Sequence, residues 1–295
     1  MNLFPEAWSG FGPPCMKDID FVIISDLHLH TSHSHGRHSA RAMVEAVLAK
    51  DLSIMAFTEH APRPDGYIYP EDYQDKLERE FMIYCDEVRS LREEFADRVE
   101  IILGAEVDFI PDAAEQMRSL LQSAKLDYVL GGVHFIGTWG FDFTLQDWKI
   151  LDDEECFSKY RAYYGIIRKM AEFGVFKTAA HVDLVKLFSI ERYRVWEATS
   201  EGEAAVADAL DALAEAGMAM EVSSAGLRKP CKEIYPGPRI MRMARERDLE
   251  ITFGSDAHAR EQVGWAFDNL ASYAAEHGFD HSVCFSRQGK RCLEF

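Results

Sequence analysis

The 295-residue sequence is short of basic residues. Lys and Arg number 32 against 50 Asp and Glu, a formal net charge of −18 at pH 7. A field of that sign repels nucleic acid and anionic membrane, so neither is an expected partner. It leaves an anionic small molecule open, because bound divalent cations would invert the local potential. No window approaches the roughly 20 apolar residues of a membrane span, and Met1–Lys17 lacks the basic start and apolar run of a secretory leader. The six cysteines (Cys15, Cys85, Cys156, Cys231, Cys284 and Cys292) form no C-x-x-C pair. In a chain too long for a disulfide-stapled mini-protein, they read as reduced thiols of a cytoplasmic protein. There is no G-x-S-x-G elbow and no G-x-x-x-x-G-K-[ST] loop, and Gly10-Phe11-Gly12 runs into Pro13-Pro14 rather than a helix. Serine-nucleophile, P-loop and dinucleotide chemistries therefore have no footing.

What is present is enough apolar material, 47% of residues, for a sizeable core. Residues 1–18 read as an N-terminal arm and 19–295 as a single domain. In that domain, short apolar runs predict strands at Asp20–Ser25, Ser53–Phe57, Val99–Leu103, Asp127–Leu130, Val175–Ala179, Met218–Val222 and Leu249–Phe253. Helix-like stretches lie between them, near 39–50, 76–96, 112–124, 154–173, 201–216, 237–247 and 260–276. Seven strand–helix units predict an α/β fold, a TIM-like (β/α)7 barrel with a parallel sheet. The segment 135–152 reads as a long aromatic loop, and Val283–Phe295 as a terminal hairpin turning near Gln288-Gly289.

The strand ends carry the chemistry. The first runs into Asp26-Leu27-His28-Leu29-His30, and residues two apart on a strand share a face, so His28 and His30 can ligate one metal. Alone, H-x-H is a weak motif. The other strands, however, run into Thr58-Glu59-His60, Glu106-Val107-Asp108, His134, His181-Val182-Asp183 and Asp256-Ala257-His258. Six of seven strands thus deliver His, Asp or Glu at the end where barrels build active sites. Of eleven histidines, only His38, His277 and His281 fall within or near helices. So many imidazole and carboxylate donors suit two or three divalent metals (Zn, Mn or Fe), with Glu106 as the bridging carboxylate. The sixth strand instead runs into Ser223–Pro230, where Arg228 can grip a phosphate with two donors and Lys229 can add a point charge.

These segments, in this order, resemble the PHP (polymerase and histidinol phosphatase) superfamily. The resemblance is carried by D-x-H-x-H at Asp26–His30, T-E-H at Thr58–His60, Glu106, His134, His181 and G-S-D-A-H at Gly254–His258, and it runs from about residue 20 onward. Within the superfamily the likeness is greatest to histidinol-phosphate phosphatases. It rests on Gly132–Ile136 with Trp139–Asp142, on His181–Lys186, and on Gly226–Pro230 through Glu233–Pro236.

The resemblance implies a distorted seven-stranded barrel, a trinuclear metal centre and hydrolysis of a small phosphate monoester, L-histidinol phosphate. It groups His28, His30, Glu106 and Asp256 on one metal, Glu106, His134 and His181 on a second, and His35, His60 and His258 on a third. Counting back from a helix start at Ser39 selects His35 from its loop, with His33 and His38 left open. Glu106 and Asp256 would be the catalytic pair that holds a metal-bound hydroxide. Arg228 and Lys186 would contact phosphate and Asp142 the substrate's ammonium, while Asp26, Asp108 and Asp183 would orient imidazoles. Two other readings stand beside this one: a PHP phosphoesterase for nucleotides, phosphotyrosine or another ester, and a non-catalytic barrel with structural metal. Apolar faces on barrel helices leave a homo-oligomer open.

Overall fold

The computed structural model describes residues 22–67 and 73–295, so the expected arm lies outside the described residues. The strands are β1 (Ser25–Leu29), β2 (Ile54–Phe57), β3 (Glu100–Asp108), β4 (Tyr128–Gly132), β5 (Phe135–Ile136), β6 (Trp139–Gly140), β7 (Thr178–Ala179), β8 (Ala219–Ser223) and β9 (Ile251–Gly254), followed by β10 (His281–Ser286) and β11 (Gly289–Glu294). Seven of them form one sheet in the order β1-β2-β3-β4-β7-β8-β9, every neighbour parallel. The sheet curls until its two edges meet. His30 N donates to Ala257 O at 2.9 Å, and Ala257 N donates to His28 O at 3.2 Å. The result is the nearly closed seven-stranded barrel that the strand count predicts.

The helices are α1 (Ala40–Leu48), α2 (Tyr73–Glu94), α3 (Ala114–Ala124), α4 (Leu145–Lys149), α5 (Asp153–Phe173), α6 (Ile190–Glu197), α7 (Ser200–Glu215), α8 (Ala225–Arg228), α9 (Pro238–Glu246) and α10 (Phe267–Glu276). α5 shows why the longer ones form. Asp152 and Glu155 make a reciprocal capping box at its start, and Gly174 ends it at φ 72°. Between these signals Tyr160, Tyr163, Tyr164, Ile167, Met170 and Ala171 keep one face buried. No helix among the described residues is long and apolar enough to cross a membrane.

Leu27, Ile54, Ala56, Ile102, Leu130 and Ala219 cluster in the lower barrel with Val283 and Phe285 of the β10–β11 hairpin. Phe285 stacks on Tyr128 with ring centroids 5.9 Å apart. The hairpin therefore floors the barrel. Above the floor, the alternation of a strand leads from Ile102 to Glu106 and from Ala219 to Glu221. In β1 the register shifts between Asp26 and Leu29. That bulge lets Leu27 join the floor while His28 turns toward the same interior.

Three differences from the sequence reading matter. Among the described residues the first strand begins at Ser25, the expected start at Asp20–Phe21 lying outside them, so His28 lies inside it, and β3 runs on to Asp108 with Glu106 inside it. The segment 135–152 is a small hairpin plus α4 rather than an open loop. The short helices α4, α6 and α8 were not expected, because helices of eight residues or fewer leave little periodicity to read.

Candidate metal centre

The donors converge at the C-terminal rim of the barrel. His28 Nε2 and His30 Nε2 lie 3.1 Å apart. Glu106 stands between two groups of imidazoles. Its Oε2 is 3.2 Å from His28 Nε2, 3.3 Å from His30 Nε2 and 3.4 Å from His60 Nδ1. Its Oε1 is 3.0 Å from His181 Nε2 and 3.6 Å from His134 Nε2. Asp256 Oδ1 reaches in from the loop after β9, 3.4 Å from His30 Nε2 and 3.3 Å from His258 Nδ1. Three compact donor sets result: His28–His30–Glu106, Glu106–His134–His181 and His30–His60–His258.

Backbone and space both bend to this purpose. His181 and Asp256 have φ of 22° and 49°, left-handed values that cost a non-glycine residue free energy and aim its side chain off the strand path. Gly254 makes room: a Cβ there would collide with Glu221 Oε1 and stand 2.7 Å from His28 Cβ.

Carboxylates hold the outer nitrogens of three of the inward-facing imidazoles. Glu221 Oε1 is 2.6 Å from His28 Nδ1, Asp108 accepts from His134 Nδ1, and Glu59 Oε1 is 3.4 Å from His30 Nδ1. Such partners fix the tautomer and make the inward nitrogen a better donor to metal. They are anchored in turn. Arg63 Nε donates to Asp108, the hydroxyls of Thr31 and Ser34 donate to Glu59, and His181 N donates to Glu221 Oε2.

Burial opposes charge on Glu106, yet the imidazoles of His60, His28 and His134 outweigh it and hold the carboxyl well below its usual range. Burial likewise opposes charge on His30, but Asp256, Glu106 and Glu59 push it up to about 10. Burial and the nearby His30 take His258 down to about 3. His258 Nε2 is buried without a hydrogen-bond partner. A buried knot of carboxylates and imidazoles about 3 Å apart is the environment of a divalent cation, and nitrogen with oxygen donors suits Zn, Mn or Fe.

Eight of the expected ligands (His28, His30, His60, Glu106, His134, His181, Asp256 and His258) are brought together here. His35 sits at the exposed rim, its ring 4.1 Å from that of His258 and 5.0 Å from that of His60. His33 instead turns to α2, with Glu80 at 3.1 Å and Glu87 at 2.6 Å, and His38 Nδ1 accepts from Arg260 N. Arg228 Nη2 donates to the carbonyls of Ser255 and Asp256, while its Nη1 is buried without a partner. Lys229 Nζ is 3.8 Å from Asp256 Oδ2. Asp142 Oδ1 is buried and unpartnered, and burial raises its pKa despite His134 and Lys229 nearby.

Three expectations need correction. Lys186 is fully buried, and its Nζ is taken by Asp183 at 2.6 Å, Glu233 at 2.9 Å and the carbonyl of Ile234. An ammonium has three donors, so none is left for phosphate. Asp183 serves that lysine and Gly237 N rather than an imidazole. Asp26 accepts from Ser255 N and Gly264 N, closing the seam between β1 and the loops after β9. Sequence reasoning gave no role to Glu221, Glu59 or Arg63. Glu221 was detectable as the only charge in the apolar run Met218–Val222.

The chain matches the PHP domain over residues 26–225 and a PHP-associated region over 238–271. It is 34% identical over 249 residues to a probable histidinol-phosphatase of Deinococcus radiodurans, covering 83% of this chain and 90% of that protein. It is 28% identical to the histidinol-phosphatase of Bacillus subtilis, covering 82% and 96%. Its fold is that of the histidinol phosphate phosphatase of Lactococcus lactis, crystallised with zinc, L-histidinol and phosphate. That comparison has a TM-score of 0.73 at 22% identity and covers 90% of this chain and 98% of that one.

Proposed function

The chain belongs to the PHP domain family, and from that premise we propose that it is a metal-dependent histidinol-phosphatase. It hydrolyses L-histidinol phosphate to L-histidinol and phosphate in histidine biosynthesis, using two or three divalent metals of the Zn, Mn or Fe kind. The observation that carries the reading is Glu106, a buried, ionised carboxylate whose two oxygens face different groups of imidazoles. That is how a carboxylate bridges metals in a multinuclear site. Bound there, such cations supply Lewis acidity toward the phosphoryl oxygens and activate water for attack on phosphorus.

The chain's own residues do the rest. His28, His30, Glu106 and Asp256 would hold one cation, Glu106, His134 and His181 a second, and His35, His60 and His258 a third. Glu106 and Asp256 orient the attacking water by accepting its hydrogen bonds. Arg228 divides its work: Nη2 locks the carbonyls that carry Asp256, and Nη1 is offered to a phosphoryl oxygen. Asp142, with its unpartnered Oδ1, receives the ammonium of histidinol. We take residues 19–295 as one domain with 1–18 as an arm. The negative net charge and the five described free thiols support a cytoplasmic protein that does not engage nucleic acid.

Steady-state phosphate release from L-histidinol phosphate tests the reading, measured with Mn or Zn beside nucleotides, sugar phosphates and phosphotyrosine. A clear kcat/KM preference for histidinol phosphate, lost on chelation, is expected. Equal or better rates on another ester would keep the metal chemistry and sink the substrate. Bound metal with no hydrolysis at all would leave a structural barrel.

A further inference from the structure

On the outer side of the metal centre, α2 lies along the loop that carries His35. Lys76, Glu80, Tyr84 and Glu87 recur at the three- and four-residue spacing of one helical face. Tyr84 fixes that face to the barrel, its hydroxyl donating to Gly104 O in β3 at 2.8 Å. Glu80 Oε2 stands 3.1 Å from His33 Nδ1, and Glu87 Oε2 stands 2.6 Å from His33 Nε2. Ionised carboxylates only accept, so both ring nitrogens donate, and the imidazole braces the loop against two successive turns of the helix. The two carboxylates lie on opposite sides of the ring, so no single cation can sit among the three groups. Next along the loop, Lys76 Nζ donates to Ser34 O.

The inner side of the same loop is gripped as well. The hydroxyls of Thr31 and Ser34 donate to Glu59, Gly36 N donates to Thr31 O at 2.9 Å, and Arg37 N donates to His258 O at 2.7 Å. A Cβ at Gly36 would stand 2.6 Å from Thr31 O, so the loop closes this tightly only around glycine. His35 is therefore presented between two fixed ends, its ring over those of His258 and His60. The set it completes contains no carboxylate, whereas the other two share Glu106. A cation held by imidazoles alone gains no opposite charge from its donors, and its affinity depends on where the rings stand.

We propose that His33, braced between Glu80 and Glu87, is a positioning residue for His35, and that this brace on α2 sets how tightly His35, His60 and His258 hold their cation. Resting on His35 as a ligand of that set, the proposal makes removal of the brace equivalent to loosening that one ligand.

Competition of the zinc-loaded full chain against a chelating dye tests this with no turnover measured. His35→Ala defines the cation in question as the one whose affinity it lowers. His33→Ala and Glu87→Gln should weaken that same cation at least about tenfold, the scale for residues that orient a ligand, and leave the remaining cations as tight as in the parent. With Co(II) in place of Zn, the visible band of the affected site alone should change. Glu87 is partly exposed, and Gln keeps its shape, so that variant answers even if His33→Ala does not fold. If His35→Ala weakens no cation, His35 fails as a ligand and the proposal falls with it. If His35→Ala weakens one while His33→Ala and Glu87→Gln bind it as the parent does, the ligand stands and the brace is overturned. A loss spread evenly over all the cations would overturn it too, as damage to the rim at large.

Discussion

A carboxylate flanked by imidazoles on both sides does two jobs, and removing its charge should undo both. Glu106→Gln should lower kcat/KM by about 10²–10³-fold, the scale for loss of one electrostatic stabiliser, with a fall in bound metal seen by elemental analysis. Normal metal content with full activity would remove Glu106 from the bridge. Glu221 acts one step out. Glu221→Gln weakens the hold on His28 Nδ1 and should cost about 10–100-fold in metal affinity, read by competition with a chelating dye. The inner donors were legible in the sequence because His, Asp and Glu recur at strand ends, where an apolar core has no use for them. Their outer partners were less so: Glu221 lies inside an apolar strand, and Arg63 is distant in sequence from the Asp108 it supports. Lys186 misled for the reverse reason, since a lysine past a strand end resembles a phosphate contact until Asp183 and Glu233 are seen around it. Glu197 brings a pH dependence. Its pKa rises from 4.5 to about 7 on folding because burial and Asp183 disfavour its charge. A raised pKa favours the native state below about pH 4.5, and that contribution drains away as pH climbs through 7. Glu197→Gln should therefore raise Tm relative to the parent by an amount that grows from pH 4.5 to 7 and then levels. A constant difference across that window would contradict it.

Among the elements, the long helices announced themselves, because caps such as Asp152 and Gly174 bracket runs with one apolar face. The strands were found but displaced. β1 carries a bulge that no period-two pattern contains, and β3 runs polar at its far end because it lines a site. At the mouth of β9 the demand is for absence. Gly254→Ala would push a methyl group into Glu221 and toward His28. A loss of about 1–3 kcal/mol in urea unfolding is expected from overpacking, together with weakened metal binding. Unchanged metal affinity would show that the Glu221–His28 pair can shift without consequence.

At the level of the whole molecule, seven alternating units were enough to expect a barrel, since parallel strands joined by helices must bury both faces of the sheet. How the ends of that sheet meet was not readable. Asp26 and the amides of Ser255 and Gly264 that it binds are separated by nearly the whole chain. Nor did the sequence reveal that the terminal hairpin lies under the barrel rather than beside it. Phe285→Ala should destabilise by about 3 kcal/mol, as loss of a large buried side chain does, even though it stands at the opposite end from the metals. A loss below about 1 kcal/mol would mean that the hairpin merely rests there. The hairpin also has a place in time. It follows all seven strands in the chain, and about forty residues separate the last of them from its end. At synthesis rates of about 5–20 residues per second, a nascent barrel waits roughly 2–8 s with Leu27, Ile54 and Ile102 open to water from below. Until the hairpin closes under them, those side chains are apolar surface that an unfinished chain presents to aggregation.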